Sequence, residues 1–484
     1  MSESTQNRPS SHDMEIGQRL ASAMMENWDQ RDESALNARV PVADFTAGRR
    51  ARLAAAFPGE ILVVPTGKEI VRASDNHYPF RAGSDFMWLV GDPEPSRVLV
   101  IDTRPESAGH TGTVYAPERS GMDSDRFHTD RVAGELWVGV RRGPVEIAAA
   151  FGVGSAPWSA LAEIAAITDT PIRLLAGIDP EVDALFALDT AGAGKRGDGT
   201  ELAQVLGELR MIKDSFEVTA LERAVAATAA GFDDVLAEIR QAAAVHRGER
   251  WLEGTFWRRA RLDGNEVGYG SVIACGHNAT TLHWQPKVGR VVPGELLLLD
   301  MGVETDDLYT ADVTRTIPVS GTFSPTQRQV YEAVLNAQQA GIDAVRPGAA
   351  FLDPHWAAMR SITRSLLDWG ILTGDLDDLV SEQMYRRWTL HSTSHHLGID
   401  VHDCATARAE FYKGGNLAEG MVITVEPGLY FQHFDLSVPA EFRGIGVRIE
   451  DDILVTAEGS RVLSADLPRS VAAVEAWMDG RAAV

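Results

Sequence analysis

The chain has 484 residues, and its 45 lysines and arginines against 69 aspartates and glutamates give a net charge of −24. This length predicts two or three domains with an ample core, and an acidic chain without a basic tract argues against nucleic-acid binding. Two cysteines are too few for a disulfide framework. Residues 1–20 contain no apolar signal segment and no apolar run is long enough for a membrane span, so we expect a cytoplasmic protein that does not bind membranes.

The first part of the chain predicts a polar extension followed by an α/β domain. Residues 1–44 are polar and charged, and we expect a surface tail or helix there. Over residues 45–190, short apolar runs alternate with alanine-rich helical stretches, a pattern typical of an α/β domain. The apolar runs are ILVVPTG from Ile61, VLVID from Val98, ELWVGV from Glu135 and PIRLLAG from Pro171.

A second, larger domain is predicted after a glycine-rich linker at residues 191–204. We place this domain at residues 205–470 and a carboxy-terminal tail at 471–484. Two strand pairs are predicted inside it, LLLLDMGV with DVTRTIPV and MVITVEPGLY with VRIEDDILV. A long helical section from about residue 325 to 385 separates the pairs. Each pair bears two acids, which suggests a duplicated half-domain.

Five side chains in the larger domain are candidates for metal binding. Asp300 and Glu426 each end an apolar run, LLLL and MVITV, where a buried strand would take the carboxylate out of water. An unpaired buried carboxylate costs several kcal/mol, so such a group is normally paired or metal-bound. Asp312, Glu450 and His395 complete the set. Four carboxylates and one imidazole suit two adjacent divalent ions such as Mn²⁺, and two such ions can activate a shared water for hydrolysis.

Several of these candidates have an ordinary structural alternative. Asp312 taken alone could be a turn or cap residue, because aspartate is favoured there. Glu450 opens an acidic triplet with Asp451 and Asp452, and such a run is usually a solvated surface; only the apolar residues around it favour a strand. If that strand forms, Arg448 shares its face with Glu450, because side chains alternate along a strand.

Three other patterns in the chain do not predict a functional site. His391 and His395 have the spacing of a zincin helix, but that motif requires glutamate where this chain has Ser392. The segment AGAGKRGDG lacks the serine or threonine that follows the lysine of a phosphate-binding loop. Cys404 lies two residues after His402, yet a buried inert cysteine is the commoner outcome.

The order and context of the five candidate ligands resemble the pita-bread metallopeptidases, and most closely the Xaa-Pro aminopeptidases. The resemblance covers roughly residues 45 to 470, and residues 74–101 are similar to the amino-terminal domain segment of that family. It implies an α+β fold, with a pita-bread catalytic domain preceded by a smaller α/β domain. It also implies that Asp300, Asp312, His395, Glu426 and Glu450 bind two metal ions, usually manganese, with Asp312 and Glu450 touching both.

One departure from the family lies between the first two ligands. Asp300 and Asp312 are twelve positions apart, one more than in many members. The additional residue falls in the segment ETDDLY between two strands, and we expect the turn there to absorb it.

The resemblance also implies roles in peptide hydrolysis. The tertiary amide nitrogen of proline must be protonated as it leaves, so the site needs a proton carrier beside the hydroxide that the metals would bridge. We expect Glu426 to act as general base and His402 to stabilise the intermediate and assist proton transfer. The predicted catalytic residues are Glu426, His402, His283, His391 and Arg448, and the predicted substrate-binding residues are His283, His391, His402, Tyr430, Arg448 and Trp137.

Trp137, in the segment GELWVGVRRG, bears on the assembly of the protein. In the enzymes that the chain resembles, a tryptophan in this motif reaches into the site of a neighbouring subunit, which implies a homo-oligomer, a dimer or a tetramer. The alternative is an ordinary core tryptophan in a strand.

Three functions from different classes remain open at this point. The first is a dimetal aminopeptidase that removes the amino-terminal residue of peptides with proline at the second position. The second is a dipeptidase of the prolidase kind, which would cut dipeptides only. The third is a non-catalytic pita-bread binding protein, which the intact set of five ligands disfavours.

Overall fold

The structure, a computed structural model, divides the chain into two units, one up to Leu202 and the other from Ala203. It describes residues 17–29, 31–74, 76–107, 111–187, 196–197 and 199–479. Residues 1–16 of the expected extension, residues 191–195 and 198 of the expected linker and residues 480–484 of the expected tail lie outside the described residues. Within the described ranges, no helix combines the length and the apolarity that a membrane crossing requires.

The first unit combines a six-stranded sheet with short helices. Its strands are β1 (Ile61–Pro65), β2 (Val71–Ala73), β3 (Asn76–His77), β4 (Val98–Asp102), β5 (Thr111–Ala116), β6 (Gly154–Pro157), β7 (Ile172–Leu174) and β8 (Arg196–Gly197). Its helices are α1 (Gln18–Ala23), α2 (Ala43–Ala56), α3 (Ser84–Leu89), α4 (Arg126–Thr129), α5 (Glu135–Val138), α6 (Pro144–Phe151), α7 (Leu161–Ala165) and α8 (Pro180–Ala187), and α9 (Gly199–Arg210) contains the division between the units. Short 3₁₀ helices lie at Ser34–Asn37, Pro105–Ser107 and Trp158–Ala160.

The sheet of this unit has the strand order β6-β5-β4-β1-β7-β8 and mixes parallel with antiparallel pairs. Every residue of β1 is buried, as a short continuous apolar run predicts for a central strand. The predicted apolar runs from Ile61, Val98 and Pro171 form β1, β4 and β7. The prediction of an α/β arrangement is therefore confirmed for these three runs.

The fourth apolar run, ELWVGV, does not form a strand, so that part of the prediction is wrong. Residues Glu135–Val138 form a single helical turn, α5, between Gly134 and Gly139, and Gly139 has φ of 79°. Glu135 is buried because its carboxylate accepts hydrogen bonds from Arg119 at 2.8 and 3.0 Å. The three side chains that follow, Leu136, Trp137 and Val138, are exposed, Trp137 by 50%.

The second unit is built from two groups of strands and a set of longer helices. Its strands are β9 (Glu266–Val267), β10 (Val272–Cys275), β11 (Leu296–Met301), β12 (Val303–Glu304), β13 (Val313–Pro318), β14 (Val422–Val425), β15 (Gly428–Tyr430), β16 (Gly446–Arg448), β17 (Asp451–Thr456) and β18 (Gly459–Val462). Its helices are α10 (Ser215–Ala237), α11 (Ile239–Ala244), α12 (Gly248–Asp263), α13 (Pro325–Ala344), α14 (Asp353–Asp368), α15 (Leu376–Ser381) and α16 (Val471–Met478), with 3₁₀ helices at Gly276–Thr280, Met384–Arg387 and Ala440–Phe442.

The helices begin where the sequence places capping residues. The Asp214 side chain accepts hydrogen bonds from the first turn of α10, and Ser324 caps α13 immediately before Pro325. Helices α13 to α15 occupy most of the region from residue 325 to 385, which confirms the long helical section. α13 and α14 contribute Val330, Val334 and Ile362 to a core that also includes residues of β11 and β13.

Both predicted strand pairs are confirmed. β11 pairs antiparallel with both β10 and β13, and β14 pairs antiparallel with β17. β15 pairs with β16 in the same register as β14 with β17, because Val425 faces Asp451 and Gly428 faces Arg448. The two strand groups are joined by hydrogen bonds between β13 and the segment from Arg448 to Asp452; in one of them the backbone N–H of Glu450 donates to the carbonyl of Thr314 at 3.1 Å.

Candidate metal centre

The four candidate carboxylates all lie at or next to the ends of paired strands. Asp300 is the last residue but one of β11, and Asp312 directly precedes β13. Asp300 faces Thr314 across this pair, so Asp312, two residues before Thr314, lies diagonally opposite on the same face of the sheet. The register of one antiparallel pair thus brings two acids together that are separated by a turn in the chain.

The second strand pair repeats this arrangement. Val425 faces Asp451, so the register continues to Glu426 opposite Glu450, and the N–H of Ile449 donates to the carbonyl of Pro427 at 3.4 Å beyond them. The Oγ1 of Thr314 donates to Glu450 Oε2 at 2.6 Å, which ties this acid to the first strand pair. Each strand pair therefore supplies two carboxylates to one region of the second unit.

His395 enters the same region on a segment that runs beside β14. The N–H of Thr424 donates to the carbonyl of His395 at 3.0 Å, and the N–H of Glu426 donates to the carbonyl of Thr393 at 2.9 Å. These bonds bring the His395 Nε2 to 3.3 Å from Asp312 Oδ2 and 3.4 Å from Glu426 Oε1. Asp312, His395 and Glu450 each offer a ligand atom within 4.8 Å of the others.

Asp300 lies in the same region but is engaged by protein groups. The hydroxyl of Tyr269 donates to Asp300 Oδ1 at 2.7 Å, and the Nη2 of Arg448 donates to Oδ2. Arg448 also donates from Nη1 to the Tyr430 hydroxyl at 2.9 Å. Because that hydroxyl accepts from Arg448, its own hydrogen is free for His391 Nε2, which lies 2.8 Å away.

These hydrogen bonds determine the protonation state of His391. Its Nε2 accepts from Tyr430, and its Nδ1 lies 2.8 Å from the carbonyl of Ser392, so the proton of a neutral ring is on Nδ1. Burial, and after it the positive charge of Arg448, lowers the pKa of His391 to about 3. His391 is therefore neutral, and its Nδ1–H also lies 3.4 Å from Glu426 Oε2.

The carboxylates show what happens when several acids share a buried site. Burial raises the pKa of Glu426 to about 7 and raises the pKa of Asp300 and Glu450 above their ordinary values, and the neighbouring acids add to the rise for each. Arg448 and the ring of His395 supply opposing positive charge, but not enough to offset four acids. A cation with two positive charges at this place would complete the charge balance.

The tautomer of His395 also fits a metal site. Its Nδ1 lies 3.1 Å from the backbone carbonyl of His396 and donates to it, so Nε2 is the nitrogen that faces the carboxylates and would bind a metal ion in place of its own proton. Although burial alone would lower it, the hydrogen bond and charge of Asp312 and the charge of Glu426 raise the pKa of His395 to about 9. The site therefore favours positive charge at Nε2, as it would favour a bound cation.

A cavity of about 680 Å³ contains this arrangement. All five predicted metal ligands line it, together with four of the other predicted site residues, His283, His391, His402 and Arg448. Tyr430 contacts two of these through its hydroxyl. The rings of His395 and His402 meet edge to face, with centroids 4.5 Å apart.

Trp137 is the exception among the predicted residues, because it lies in the first unit. Its indole N–H donates to the carbonyl of His128 at 2.8 Å, and the guanidinium of Arg131 lies 4.6 Å from its ring centre. The ring is half exposed on a helical turn. The alternative interpretation, a core tryptophan in a strand, is therefore wrong.

Four residues that contact the site were missed from the sequence. Tyr269 holds Asp300, Thr314 holds Glu450, Thr424 approaches Glu426 Oε1 at 3.5 Å, and Asp452 accepts from the N–H of Asp312 at 3.2 Å. The sequence could have indicated Thr314, because it lies two residues after Asp312 and side chains two apart on a strand point to the same face. We find no local pattern around Tyr269 that would have marked it.

Comparisons with known proteins agree with this geometry. Residues 219–457 match the family model of Metallopeptidase family M24, and residues 46–168 match the model of the Aminopeptidase P, N-terminal domain. Xaa-Pro aminopeptidase 2 of Streptomyces coelicolor (strain ATCC BAA-471 / A3(2) / M145) is 48% identical over 460 residues, 95% of this chain and 96% of that protein. The Xaa-Pro aminopeptidase of Escherichia coli (strain K12) is 31% identical over 454 residues, 90% of this chain and 97% of that protein.

Two solved structures give the same result for the fold. The structure of Pseudomonas aeruginosa aminopeptidase PepP has a TM-score of 0.80 at 31% identity and covers 91% of this chain and 98% of its own. Aminopeptidase P from E. coli with the inhibitor Pro-Leu has a TM-score of 0.79 at 27% identity, with 91% and 99% covered.

The paired strand ends with their acids and imidazole, in a cavity of the second unit, define a metallopeptidase with a pita-bread catalytic domain and an amino-terminal domain before it. Membership of this class implies divalent metal binding. At 48% identity over nearly its whole length, the chain belongs to the Xaa-Pro aminopeptidases of family M24.

Proposed function

We propose that this protein removes the amino-terminal residue from peptides whose second residue is proline, with a centre of two divalent ions that is most active with manganese. Asp300, Asp312, His395, Glu426 and Glu450 are the proposed ligands. The observation that carries the proposal is the convergence of these side chains in one cavity with more negative charge than the nearby cations offset. The set is rich in oxygen donors, which manganese prefers to the thiolates that zinc also accepts.

The protein groups around the ligands supply the remaining chemistry. Metal ions at this site would polarise the scissile carbonyl and lower the pKa of the attacking water. Glu426 accepts the proton of that water, and the neutral His391, whose Nδ1 lies 3.4 Å from Glu426 Oε2, is next to this carboxylate. His402 delivers a proton towards the proline nitrogen, which has no hydrogen of its own and is a poor leaving group until it is protonated.

Substrate contacts are proposed on the open side of the cavity. His283 and His402 are exposed there, and Arg448 with Tyr430 forms the polar wall behind them. Arg448 serves two purposes in this scheme, because its guanidinium also holds Asp300 in place. Its replacement by lysine would leave the charge but lose the forked contacts to Asp300 and Tyr430.

We further propose that the protein works as a cytoplasmic homo-oligomer, a dimer or a tetramer, in which Trp137 contributes to a neighbouring site. The support is a helical turn that exposes Leu136, Trp137 and Val138 by 47%, 50% and 37% of their surface, since adjacent exposed apolar side chains are typical of interfaces. Sedimentation of the native chain and of Trp137→Ala tests this. A monomeric native chain at working concentration would rule out the cross-subunit role.

One experiment separates the proposed activity from its rivals. The manganese-loaded protein is incubated with Gly-Pro and with a longer Gly-Pro peptide, and the products are identified by mass spectrometry. We expect glycine to be released from the longer peptide. Cleavage of the dipeptide alone would indicate a prolidase, and cleavage of neither would indicate a binding protein.

A further inference from the structure

A second cavity opens beside the metal centre. It has a volume of about 320 Å³ and shares three lining residues with the main cavity: His391, Ser392 and Lys413. We call it the side groove and define it by Trp356, Tyr385, Arg386, Thr389, Leu390 and Lys413. Because these residues form a wall of both spaces, the side groove lies next to the main cavity at His391.

The side groove is basic in a strongly acidic protein. The side chains of Arg386 and Lys413 are exposed in it, and neither has a carboxylate partner within ion-pair distance in the part of the chain that the structure describes. The guanidinium of Arg386 donates to the side-chain oxygen of Gln383 at 3.2 Å. Both charges act on His355, whose pKa burial lowers to about 4, so this residue adds no charge of its own.

The wall of the side groove combines apolar surface with unused polar groups. Trp356 and Leu390 are 39% and 61% exposed. Tyr385 and Thr389 are each 1% exposed, and their hydroxyl oxygens have no hydrogen-bond partner among the described residues. These two oxygens are buried, so they belong to the polar part of the wall but are not themselves exposed to a bound peptide.

We propose that the side groove binds the leaving segment of the peptide substrate and holds an anionic group of that segment, either its carboxylate terminus or an acidic side chain, with Arg386 and Lys413. This proposal rests on the proposed function. In an aminopeptidase that removes one residue, the substrate ends at its free amino group on one side of the scissile bond. A space that extends the site therefore accommodates the peptide segment that follows proline. Arg386 and Lys413 repel an ammonium group and attract a carboxylate. They therefore also favour the part of the peptide that follows proline.

Arg386 is the residue to test, because it lines only the side groove, whereas Lys413 also lines the main cavity. Ala-Pro peptides extended by one to five alanines are compared as free acids and as carboxy-terminal amides, and a parallel set carries glutamate or glutamine at each added position. We expect KM to be lower for the acidic member of one pair at the length that reaches the side groove. Arg386→Gln is expected to abolish that preference, a change of about two- to fivefold for an exposed charge pair, and to leave kcat and the shortest peptide unchanged.

Two further variants act as controls. Arg364→Gln removes an exposed arginine of α14 that lines neither cavity, and we expect it to leave every KM unchanged. Tyr385→Phe removes a buried hydroxyl that has no hydrogen-bond partner among the described residues, and we expect it to leave both the thermal midpoint and the preference for acidic peptides unchanged.

The outcomes separate this proposal from the function on which it rests. If the native protein cleaves no Ala-Pro peptide, the proposed function fails. If it cleaves all of them with a KM independent of length and terminal charge, or if Arg364→Gln and Arg386→Gln behave alike, the aminopeptidase stands and the side-groove proposal is overturned. A preference confined to the acid–amide pairs identifies the terminal carboxylate as the anion, and one confined to the glutamate–glutamine pairs identifies an acidic side chain.

Discussion

Two groups of buried acids lie in the second unit, and they differ in the positive charge around them. Asp403 accepts from Lys213 Nζ at 2.7 Å and from Arg210, and Asp451 accepts from Arg315 Nη2 at 2.7 Å. The acids of the candidate metal centre have fewer cations than carboxylates around them. Although burial alone would raise it, Arg210 and Lys213 hold the pKa of Asp403 well below its ordinary value.

The contrast is sharpest where the two groups are adjacent in sequence. Glu450 turns towards the cavity and its pKa is raised by burial and by the neighbouring acids, while Asp451 turns away and is saturated by Arg315, Gln338 and Ser464. Neighbouring strand residues point to opposite faces, so one acid reaches the site and the next one reaches the core. Burial alone therefore does not identify a functional acid; the acids of the candidate metal centre differ because several of them share one cavity with too little counter-charge.

The largest test of this contrast replaces Glu450 by glutamine. The side chain keeps its shape and its bond from Thr314, but the site loses one negative charge. We expect kcat/KM for a Xaa-Pro peptide to fall by about 10³-fold, since a metal site is worth several kcal/mol to the transition state, and metal content measured by elemental analysis to fall as well. The thermal midpoint of the metal-free variant should not fall, because like-charge repulsion is relieved. Full metal content and activity would refute the assignment.

For Lys213→Met we expect a loss of stability without a loss of metal, the opposite of the result expected for Glu450→Gln. The side chain is fully buried against Asp403, so its removal leaves a buried carboxylate with less compensation. Breaking a buried pair in this way costs about 3–5 kcal/mol, which would lower the thermal midpoint by several degrees while metal content stays unchanged. The matched control is Arg360→Met, since Arg360 and Asp377 form an exposed pair for which we expect less than about 1 kcal/mol. Equal losses in the two variants would contradict the contrast.

The smallest expected effect is a difference in pH dependence between the two groups in the metal-free protein. The folded pKa of Glu426 is raised from its ordinary 4.5 to about 7, so the folded state binds the proton more tightly and stability falls as pH rises through that window. The pKa of Asp403 is depressed, so its contribution is present above its ordinary 3.8 and is lost as pH falls below that value. His391 and His355, whose folded pKa values are lowered by burial, change stability in the opposite direction over the same range, so the Glu426 contribution is read as the thermal midpoint of the native protein minus that of Glu426→Gln. We expect this difference to be smaller at pH 7.5 than at pH 5.5, and the native midpoint to fall in strong acid. Saturating manganese should remove the first trend only.

The sequence was sufficient for much of the fold, because the relevant signals are local. The runs around Asp300 and Glu426 predicted strands, and the helical pattern from about residue 325 to 385 predicted the helical section between them. The prediction from the sequence failed at ELWVGV. The apolar pattern there favoured a strand, but the segment forms a helical turn in which Glu135 accepts a hydrogen bond from Arg119, 16 positions away in the chain. The family resemblance supplied the metal ligands, and the geometry then showed how strand register brings them together.

The amino-acid sequence by itself determined which residue types could hold a cation and which strands would carry them, since strand periodicity and burial of apolar runs depend on near neighbours. The tertiary structure alone decided which acids keep a partner. Glu450, Asp451 and Asp452 look alike in sequence, yet one faces the cavity, one is neutralised by Arg315, and one accepts from the backbone of Asp312. The physical reason is that the state of a buried charge depends on charges within a few ångströms, and the chain brings those from positions more than a hundred residues away.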